Sequence, residues 1–298
     1  MRLSAETNHL LQKRLKEALR PFDIFFAALA ACGIYGVAHG CNGLGIRQSQ
    51  KGLCTVGLIL ATVCCLLVTL IAIFRLRHRK SARSWVSASL LLWLSFACGA
   101  WYGNQYWYNH LVKYYTWHDM ASYLNIDPET DKGQSYMDAG TVYFKDGSHV
   151  LRSHGVSFHN GEMYCVAPIV MGNEAGSFTT PRSGTVDFWA VGKNCCGISG
   201  ADFSCGDSLS GMAHSGLRSL DERSRSMYLL GVQEWSATNG IPVKHPLFFE
   251  WVKDPVSYID ELQVNGSIDF VYGTAMSFFL SLVASALSHN LLQKMGLY

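Results

Sequence analysis

Four apolar stretches dominate the pattern of hydrophobic and polar positions along the chain. They cover residues 22–39, 52–74, 84–103 and 268–287. Each approaches or reaches the ~20 residues that a helix needs to cross the bilayer core. A soluble protein can bury one such helix, but four are too many for that interpretation. The pattern therefore predicts four transmembrane α-helices packed as a bundle.

Between the third and fourth stretches the pattern changes from helical to alternating. Asp146-Gly147 and Asn160-Gly161 each separate two short runs of β-forming residues, which is typical of hairpins. Residues 185–191 read as a further strand. Helical patterns end near Leu124 and return over 217–236 and from Pro255. We therefore expect an α+β domain with a small antiparallel sheet between spans three and four.

These patterns divide the chain into four segments. Leu11, Leu15, Ala18 and Phe22 share one helical face beside basic positions, which favours an amphipathic helix on an anionic membrane surface over a solvated tail. The predicted segments are an amphipathic cytoplasmic N-terminal helix (1–21), spans one to three with short loops (22–103), a large non-cytoplasmic α+β domain (104–266), and span four with a short cytoplasmic tail (267–298).

Basic residues next to the spans predict the orientation. Eleven Lys and Arg residues flank the spans on the side of the chain ends, against Arg47 and Lys51 in the short loop on the other side. Basic residues concentrate on the cytoplasmic side of membrane proteins. Both termini should therefore face the cytoplasm or its equivalent, with the large domain extracellular or lumenal. No cleavable signal peptide is expected, because the basic first 20 residues lack an apolar region.

The charge balance agrees with two environments in one chain. Only 15% of residues are charged, against about a quarter in soluble domains. Residues 104–266 hold 18 acidic and 11 basic residues, a net charge of −7. The basic residues elsewhere form short clusters beside apolar runs. This pattern argues against a cytosolic enzyme and against a nucleic-acid partner.

Small residues recur at every fourth position of the spans. In lipid, close backbone approach over such residues drives helix association, although membrane helices also have a high general content of them. The predicted packing positions are Gly36, Gly40, Gly57, Ala61, Gly99, Gly103, Gly273, Ser277, Ser281 and Ser285.

Four of the ten cysteines lie in the large domain: Cys165, Cys195, Cys196 and Cys205. An even number in a non-cytosolic domain predicts two structural disulfides. Adjacent Cys195 and Cys196 do not readily pair with each other, so Cys165 and Cys205 are their natural partners, in an undecided order. Outside this domain, Cys41 and Cys54 flank the short loop and could bridge there.

Other candidate chemistry is weak. His149, His154 and His159 recur every five residues, but alternation along strands separates them, so surface histidines are favoured over a metal site. The acidic stretch from Asp127 to Asp138 departs from a calcium loop, with Lys132 where glycine is needed. Nucleotide-binding and hydrolase motifs are absent from the sequence. We therefore predict no catalytic, cofactor-binding or metal-binding residue, and no enzyme.

The Cys195-Cys196-Gly197 triplet, the four spans and the large loop between spans three and four resemble the tetraspanins. Cys165 departs from that family's pattern, because it precedes the triplet. The resemblance implies lateral organisation of partner proteins in the membrane without catalysis.

We therefore expect a non-enzymatic membrane scaffold or accessory subunit whose partners are lipids and other membrane proteins. One alternative is a subunit of a large respiratory or photosynthetic complex in contact with lipid or pigment, where His39 or His289 would ligate chlorophyll or haem. The other is a channel or transporter component. Against transport, the few ionisable groups in the spans, Asp23, His39 and Asp269, lie near the span ends.

Overall fold

The computed structural model describes residues 24–78, 83–172, 180–198 and 200–294, without the side chains of residues 83, 289 and 291–294. The chain forms two compact units. The helical unit comprises Met1–Val112 and Leu262–Tyr298, and the sheet unit comprises Lys113–Glu261. The predicted amphipathic helix over 1–21 lies outside the described residues.

Four helices are long and apolar enough to cross a membrane, which supports a multi-pass membrane protein and confirms the four predicted apolar helices. They are α1 (Ile24–Gly43), α3 (Lys51–Arg77), the helical run that starts with α4 (Arg83–Tyr106), and α7 (Pro255–Lys294). After α4 come a π-helical segment (Trp107–Leu111) and α5 (Val112–Asp119). A single helical turn, α2 (Ile46–Ser49), precedes α3.

Polar contacts join α3 to α4 inside the helical unit. The Thr69 hydroxyl lies 2.8 Å from the Ser89 hydroxyl. The indole N–H of Trp93 also donates to the Thr69 hydroxyl, at 3.1 Å. Arg75 lies over the Trp85 ring, with 4.9 Å from the guanidinium carbon to the ring centroid. In lipid, such hydrogen bonds add to van der Waals packing between helices.

The sheet unit is built on an eight-stranded mixed sheet. Its strands are β1 (Ala121–Ile126), β2 (Ala139–Phe144), β3 (Ser148–Val150), β4 (Val156–Asn160), β5 (Glu162–Met171), β6 (Phe188–Lys193), β7 (Ser215–Arg218) and β8 (Leu247–Val252). The order is β1-β2-β7-β8-β6-β5-β3, and β4 also pairs with β5. Two pairs, β1 with β2 and β6 with β8, are parallel, and the others are antiparallel.

The central strands are buried on both faces. On one face, alternate residues such as Cys165, Ala190 and Phe249 form a core with the loop residues Phe203 and Cys205. On the other face, Val166, Trp189 and Phe248 pack against Tyr228, Val232 and Trp235 of α6 (Glu222–Asn239). A helix therefore covers one face of the sheet, and loops that carry the disulfides cover part of the other.

Some of the strand predictions need correction. The hairpin around Asn160-Gly161 is confirmed, with Asn160 paired to Glu162 and Gly161 at φ +76°. The hairpin around Asp146-Gly147 is wrong, because β2 pairs with β1 and β7 whereas β3 pairs with β5.

Three element boundaries also differ from the prediction. The helix expected to reach Leu124 ends at Asp119, and the strand expected over 185–191 is Phe188–Lys193. The helix expected over 217–236 begins at Glu222, because the chain first completes β7. The helix expected from Pro255 begins there.

Candidate functional site

Two disulfides connect the four cysteines of the sheet unit. They join Cys165 of β5 to Cys196, with Cα atoms 6.0 Å apart, and Cys195 to Cys205, with Cα atoms 5.0 Å apart. The adjacent cysteines thus have different partners, and the pairing that the sequence leaves undecided is resolved. Cys41 and Cys54, which could have bridged the short loop, are free thiols.

The neighbouring residues are adapted to these disulfides. A Cβ atom on Gly192 of β6 would lie 2.6 Å from both the Cys195 and Cys205 sulfurs, so only glycine allows the second disulfide to lie over this strand. The N–H and hydroxyl of Ser204 both donate to the Cys195 carbonyl at 2.9 Å. The N–H of Gly197 donates to the Asp202 carboxylate at 2.6 Å. The loop is therefore held by hydrogen bonds as well as by covalent links.

Among the described residues, the one group with metal-ligand geometry is made of these same cysteines. The sulfur atoms of Cys165, Cys195 and Cys205 lie within 4.8 Å of one another. Because thiolates bind metals and disulfide sulfurs are not thiolates, a metal here would require the reduced protein. The oxidised arrangement serves as a structural link.

Glycines let α1 and α4 approach at backbone distance. A Cβ atom on Gly99 would lie 2.6 Å from the Tyr35 carbonyl oxygen, and one on Gly103 would lie 2.6 Å from the His39 carbonyl oxygen. On the α1 side, a Cβ atom on Gly43 would lie 2.9 Å from the Gly103 Cα. A side chain at Gly99 or Gly103 would therefore clash with the backbone of α1.

The remaining predicted packing positions differ in how closely they approach their neighbours. A Cβ atom on Gly36, Gly40 or Gly57 would lie 3.4–3.9 Å from its nearest neighbour on α7 or α1, which is ordinary van der Waals distance. Gly273 is closer, since its Cβ would lie 2.9 Å from the Tyr35 hydroxyl. Ala61, Ser281 and Ser285 are buried, and Ser277 is half-buried. The small-residue rows therefore contribute unequally.

His39 is enclosed by the helical unit. It is 1% exposed, and its ring contacts the rings of Tyr35, Tyr102 and Phe270 at centroid distances of 5.3–5.7 Å. A Cβ atom on Gly43 would lie 3.2 Å from the His39 ring. A porphyrin or chlorophyll bound to this histidine would have to displace these aromatic rings. The side chain of His289 lies outside the described residues.

The structure separates the three regularly spaced histidines. His149 lies on β3, His154 in a 3₁₀ turn and His159 on β4. The carboxylates of the acidic stretch accept hydrogen bonds from nearby groups. Asp131 accepts from the Asp127 N–H and the Tyr136 hydroxyl at 3.0 Å, and Asp138 accepts from the Tyr123 hydroxyl at 2.9 Å. The stretch therefore behaves as an internally bonded acidic turn.

A charged network lies at the start of α6. Asp221 caps the helix by accepting hydrogen bonds from the N–H groups of Arg223 and Ser224. The ammonium group of Lys193 lies 2.7 Å from the Asp221 carboxylate and 3.2 Å from the Glu162 carboxylate. Burial would raise the pKa of Asp221, but hydrogen bonds from Lys193 and Ser224 outweigh it and hold the pKa at about 2. The hydrogen bond to Asp221 raises the pKa of Lys193.

Replacing Asp221 by asparagine should reduce acid sensitivity. The wild-type carboxylate stabilises the fold above the ordinary aspartate pKa of about 4, and this contribution disappears as the pH falls through about 2. Because the ion pair is partly exposed and asparagine still caps helices, we expect D221N to cost at most about 1 kcal/mol at pH 7. Urea unfolding at pH 7 and pH 2.5 should show this difference shrinking in acid. If wild type and D221N differ equally in unfolding free energy at both pH values, the stabilising role given to the Asp221 carboxylate is contradicted.

A polar pocket beside β3 contains residues that sequence analysis did not select. It has a volume of about 280 Å³, and the residues that line it include Ser148, His149, Arg152, Ser208, Ser210 and His214. Of these, only His149 was considered, as a possible metal ligand. These residues are spread over 67 positions of the chain, on a strand and two loops, so no local spacing reveals their convergence.

Comparisons with protein-family models, with curated proteins and with solved structures found no match to this chain.

Proposed function

We propose that this protein is a non-enzymatic integral membrane scaffold or accessory subunit that organises partner proteins through its helix bundle and its disulfide-linked domain. Both termini would face the cytoplasm or its equivalent, with residues 104–266 extracellular or lumenal. The distribution of basic residues beside the spans supports this orientation. The two disulfides support it independently, because disulfides persist in oxidising compartments.

The observation that carries the proposal is an unpartnered heptad row on α3. Its large apolar residues are spaced alternately by three and four positions, which is the a/d pattern of a helix-packing seam. Every member is at least 44% exposed in this chain: Leu53, Val56, Leu60, Val63, Leu67, Leu70 and Phe74. We call these residues the α3 seam.

Within the described residues, no other part of the chain covers the α3 seam. Only 17% of the most apolar window of α3 is buried, although α1 and α4 contact its other side through Gly57 and Thr69. Seam residues recur over the whole length of the helix, so a second transmembrane helix could pack along all of it. We assign this place to a helix of a partner membrane protein.

The test is native purification of the full-length protein in mild detergent after chemical crosslinking, with mass spectrometry. We expect reproducible companions in defined ratio, which L60A/L67A loses. The matched control is L90A/L94A, which truncates two exposed leucines of α4, away from the α3 seam. Recovery of the protein without companions, or equal loss with both variants, would overturn the proposal.

The same preparation separates the alternatives. A visible absorption band from bound chlorophyll or haem would favour the pigment-containing complex, and ion flux in liposomes would favour a channel. Protease protection that places residues 113–261 in the same compartment as Met1 would reject the proposed orientation.

A further inference from the structure

The two disulfides of the sheet unit lie side by side on one face of the sheet. Cys165 of β5 pairs directly with Gly192 of β6, and directly paired residues of antiparallel strands have their side chains on the same face. Gly192 has no side chain, and the Cys195–Cys205 disulfide takes this place, since a Cβ atom there would lie 2.6 Å from both of its sulfurs. The Cys165–Cys196 disulfide therefore borders the second disulfide.

Sulfur atoms of the two disulfides are close neighbours. Those of Cys165, Cys195 and Cys205 lie within 4.8 Å of one another. Asn194 holds the chain in this place, because its N–H donates to the Met163 carbonyl at 2.8 Å and its side-chain oxygen accepts from the Met163 N–H at 3.0 Å. Its positive φ of 56° turns the chain out of β6. A thiolate on one of these sulfurs would therefore need little movement to reach the other disulfide.

The four cysteines differ in exposure. Cys165 is completely buried and Cys205 is 3% exposed, whereas Cys195 and Cys196 are half-buried. Each disulfide thus joins a buried cysteine to a half-buried one. A thiol reductant attacks the sulfur that it reaches, and the other sulfur leaves as a thiolate. Attack from solvent on either disulfide would therefore leave a thiolate on the buried member, where burial disfavours the charge.

We propose that the two disulfides form a redox-active exchange site for a thiol reductant. In the oxidised form the links are Cys165–Cys196 and Cys195–Cys205. Reduction by two electrons produces a different link, Cys165–Cys205, between the two buried cysteines, and leaves free thiols on the adjacent residues Cys195 and Cys196. This activity goes beyond the scaffold role, since a purely structural pair of disulfides would not exchange.

The exchange step requires no further reactant. The reductant forms a mixed disulfide with Cys196 and displaces the Cys165 thiolate, which attacks the Cys205 sulfur. The Cys165–Cys205 bond forms, the Cys195–Cys205 bond breaks, and the electron pair leaves on Cys195, which takes a proton from water. A second thiol of the reductant then attacks the reductant sulfur of the mixed disulfide. The reductant leaves as a disulfide, two electrons poorer, and Cys196 becomes a thiol.

The direction of the exchange follows from the exposure of the cysteines. Attack at the Cys205 sulfur moves the negative charge from a completely buried residue to a half-buried one, whereas attack at the Cys195 sulfur would leave it on Cys205. The thiolate that water stabilises better is the better leaving group. Entry at Cys195 gives the same product, because the displaced Cys205 thiolate attacks Cys165 and releases Cys196. Both routes therefore end with the buried cysteines linked.

Limited reduction of the wild-type protein tests this product. Full-length protein in detergent micelles receives one equivalent of dithiothreitol and is then quenched in acid. It is unfolded, alkylated with N-ethylmaleimide at low pH, and mapped by mass spectrometry without further reduction. We expect about tenfold more alkylation of Cys195 and Cys196 than of Cys165 and Cys205. Peptides linked by Cys165–Cys205, absent before reduction, should appear together with these thiols.

The C196S variant isolates the exchange step, because Cys165 then carries a thiol and no reductant is needed. We expect the Cys165–Cys205 link and an alkylated Cys195 in most molecules. The matched control is C165A, which removes the same disulfide but leaves the free thiol on Cys196, whose sulfur lies outside the group within 4.8 Å. C165A should keep the Cys195–Cys205 link. Circular dichroism checks that both variants fold, and the wild-type reduction does not depend on them.

Several results would overturn the proposal. Free thiols on Cys165 and Cys196 alone, or on Cys195 and Cys205 alone, would show direct reduction without exchange. Simultaneous appearance of four free thiols, or no reduction of the folded protein, would show two purely structural disulfides. An intact Cys195–Cys205 link in folded C196S would exclude the exchange step. None of these outcomes depends on the partner proteins, so this test and the scaffold test can fail separately.

Discussion

Replacing Gly99 with leucine is expected to destabilise the helical unit by about 3 kcal/mol, and G99L/G103L by more. A Cβ atom at Gly99 would already lie 2.6 Å from the Tyr35 carbonyl and 3.2 Å from the Ala38 Cβ. Neither neighbour is the flexible end of a side chain, so α1 and α4 would have to move apart. Helices in lipid gain most of their association from close packing, and separation removes that contact.

Gly33 provides the matched control for this effect. It lies on α1, and a Cβ atom there would have no neighbour within 4 Å. G33L should therefore unfold at nearly the wild-type temperature, or slightly above it, because leucine has a higher helix propensity than glycine. Thermal unfolding in detergent, followed by tryptophan fluorescence, measures both variants. Equal melting temperatures for G99L and G33L would contradict the packing role of Gly99.

The long helices of the helical unit were predictable because consecutive apolar residues are enough to indicate them. An apolar run long enough to cross a bilayer predicts a helix wherever it occurs, and the backbone must satisfy its own hydrogen bonds there. The predicted runs 52–74 and 268–287 both lie within single helices. Sequence spacing did not reveal which small residues make tight contacts, because Gly99 and Gly36 fit the same pattern but differ in their neighbours.

The sheet was only partly predictable because its central strands are buried on both faces. Such strands read as continuous apolar runs and lack alternation. Strand β8, with the sequence Leu-Phe-Phe-Glu-Trp-Val, was missed for this reason. The turn at Asp146-Gly147 has hairpin chemistry, but it leads the chain to β5, a long-range partner that local sequence does not specify.

The polar pocket was not predictable from local patterns at all. Ser148, Arg152 and Ser208 are common residue types without a shared spacing, and they meet because β3 and the loop after Cys205 are brought together. Their proximity exists only in three dimensions, because it depends on the pairing of β3 with β5 and on the course of the loop after Cys205. By contrast, the four cysteines of the sheet unit were found by counting, since each needs a partner.

Removing the Cys165–Cys196 disulfide is expected to cost about 3–4 kcal/mol. The link spans 31 residues, and the free energy of closing such a loop in the unfolded chain gives this magnitude. The C165A/C196A variant is the appropriate change, because Cys165 is completely buried and serine would introduce a buried hydroxyl. It also leaves Cys195–Cys205 intact, whereas C196S alone would leave the Cys165 thiol within 4.8 Å of the other two sulfurs.

The control for this prediction is C98A, which removes an exposed free thiol from α4. Urea unfolding should show C98A close to wild type and C165A/C196A shifted to lower urea. Non-reducing peptide mapping of wild type should recover the Cys165–Cys196 and Cys195–Cys205 links. Four free thiols, or zinc retained through purification, would show that the reduced cluster exists in the cell. That result would contradict both the disulfides and the oxidising location proposed for the sheet unit.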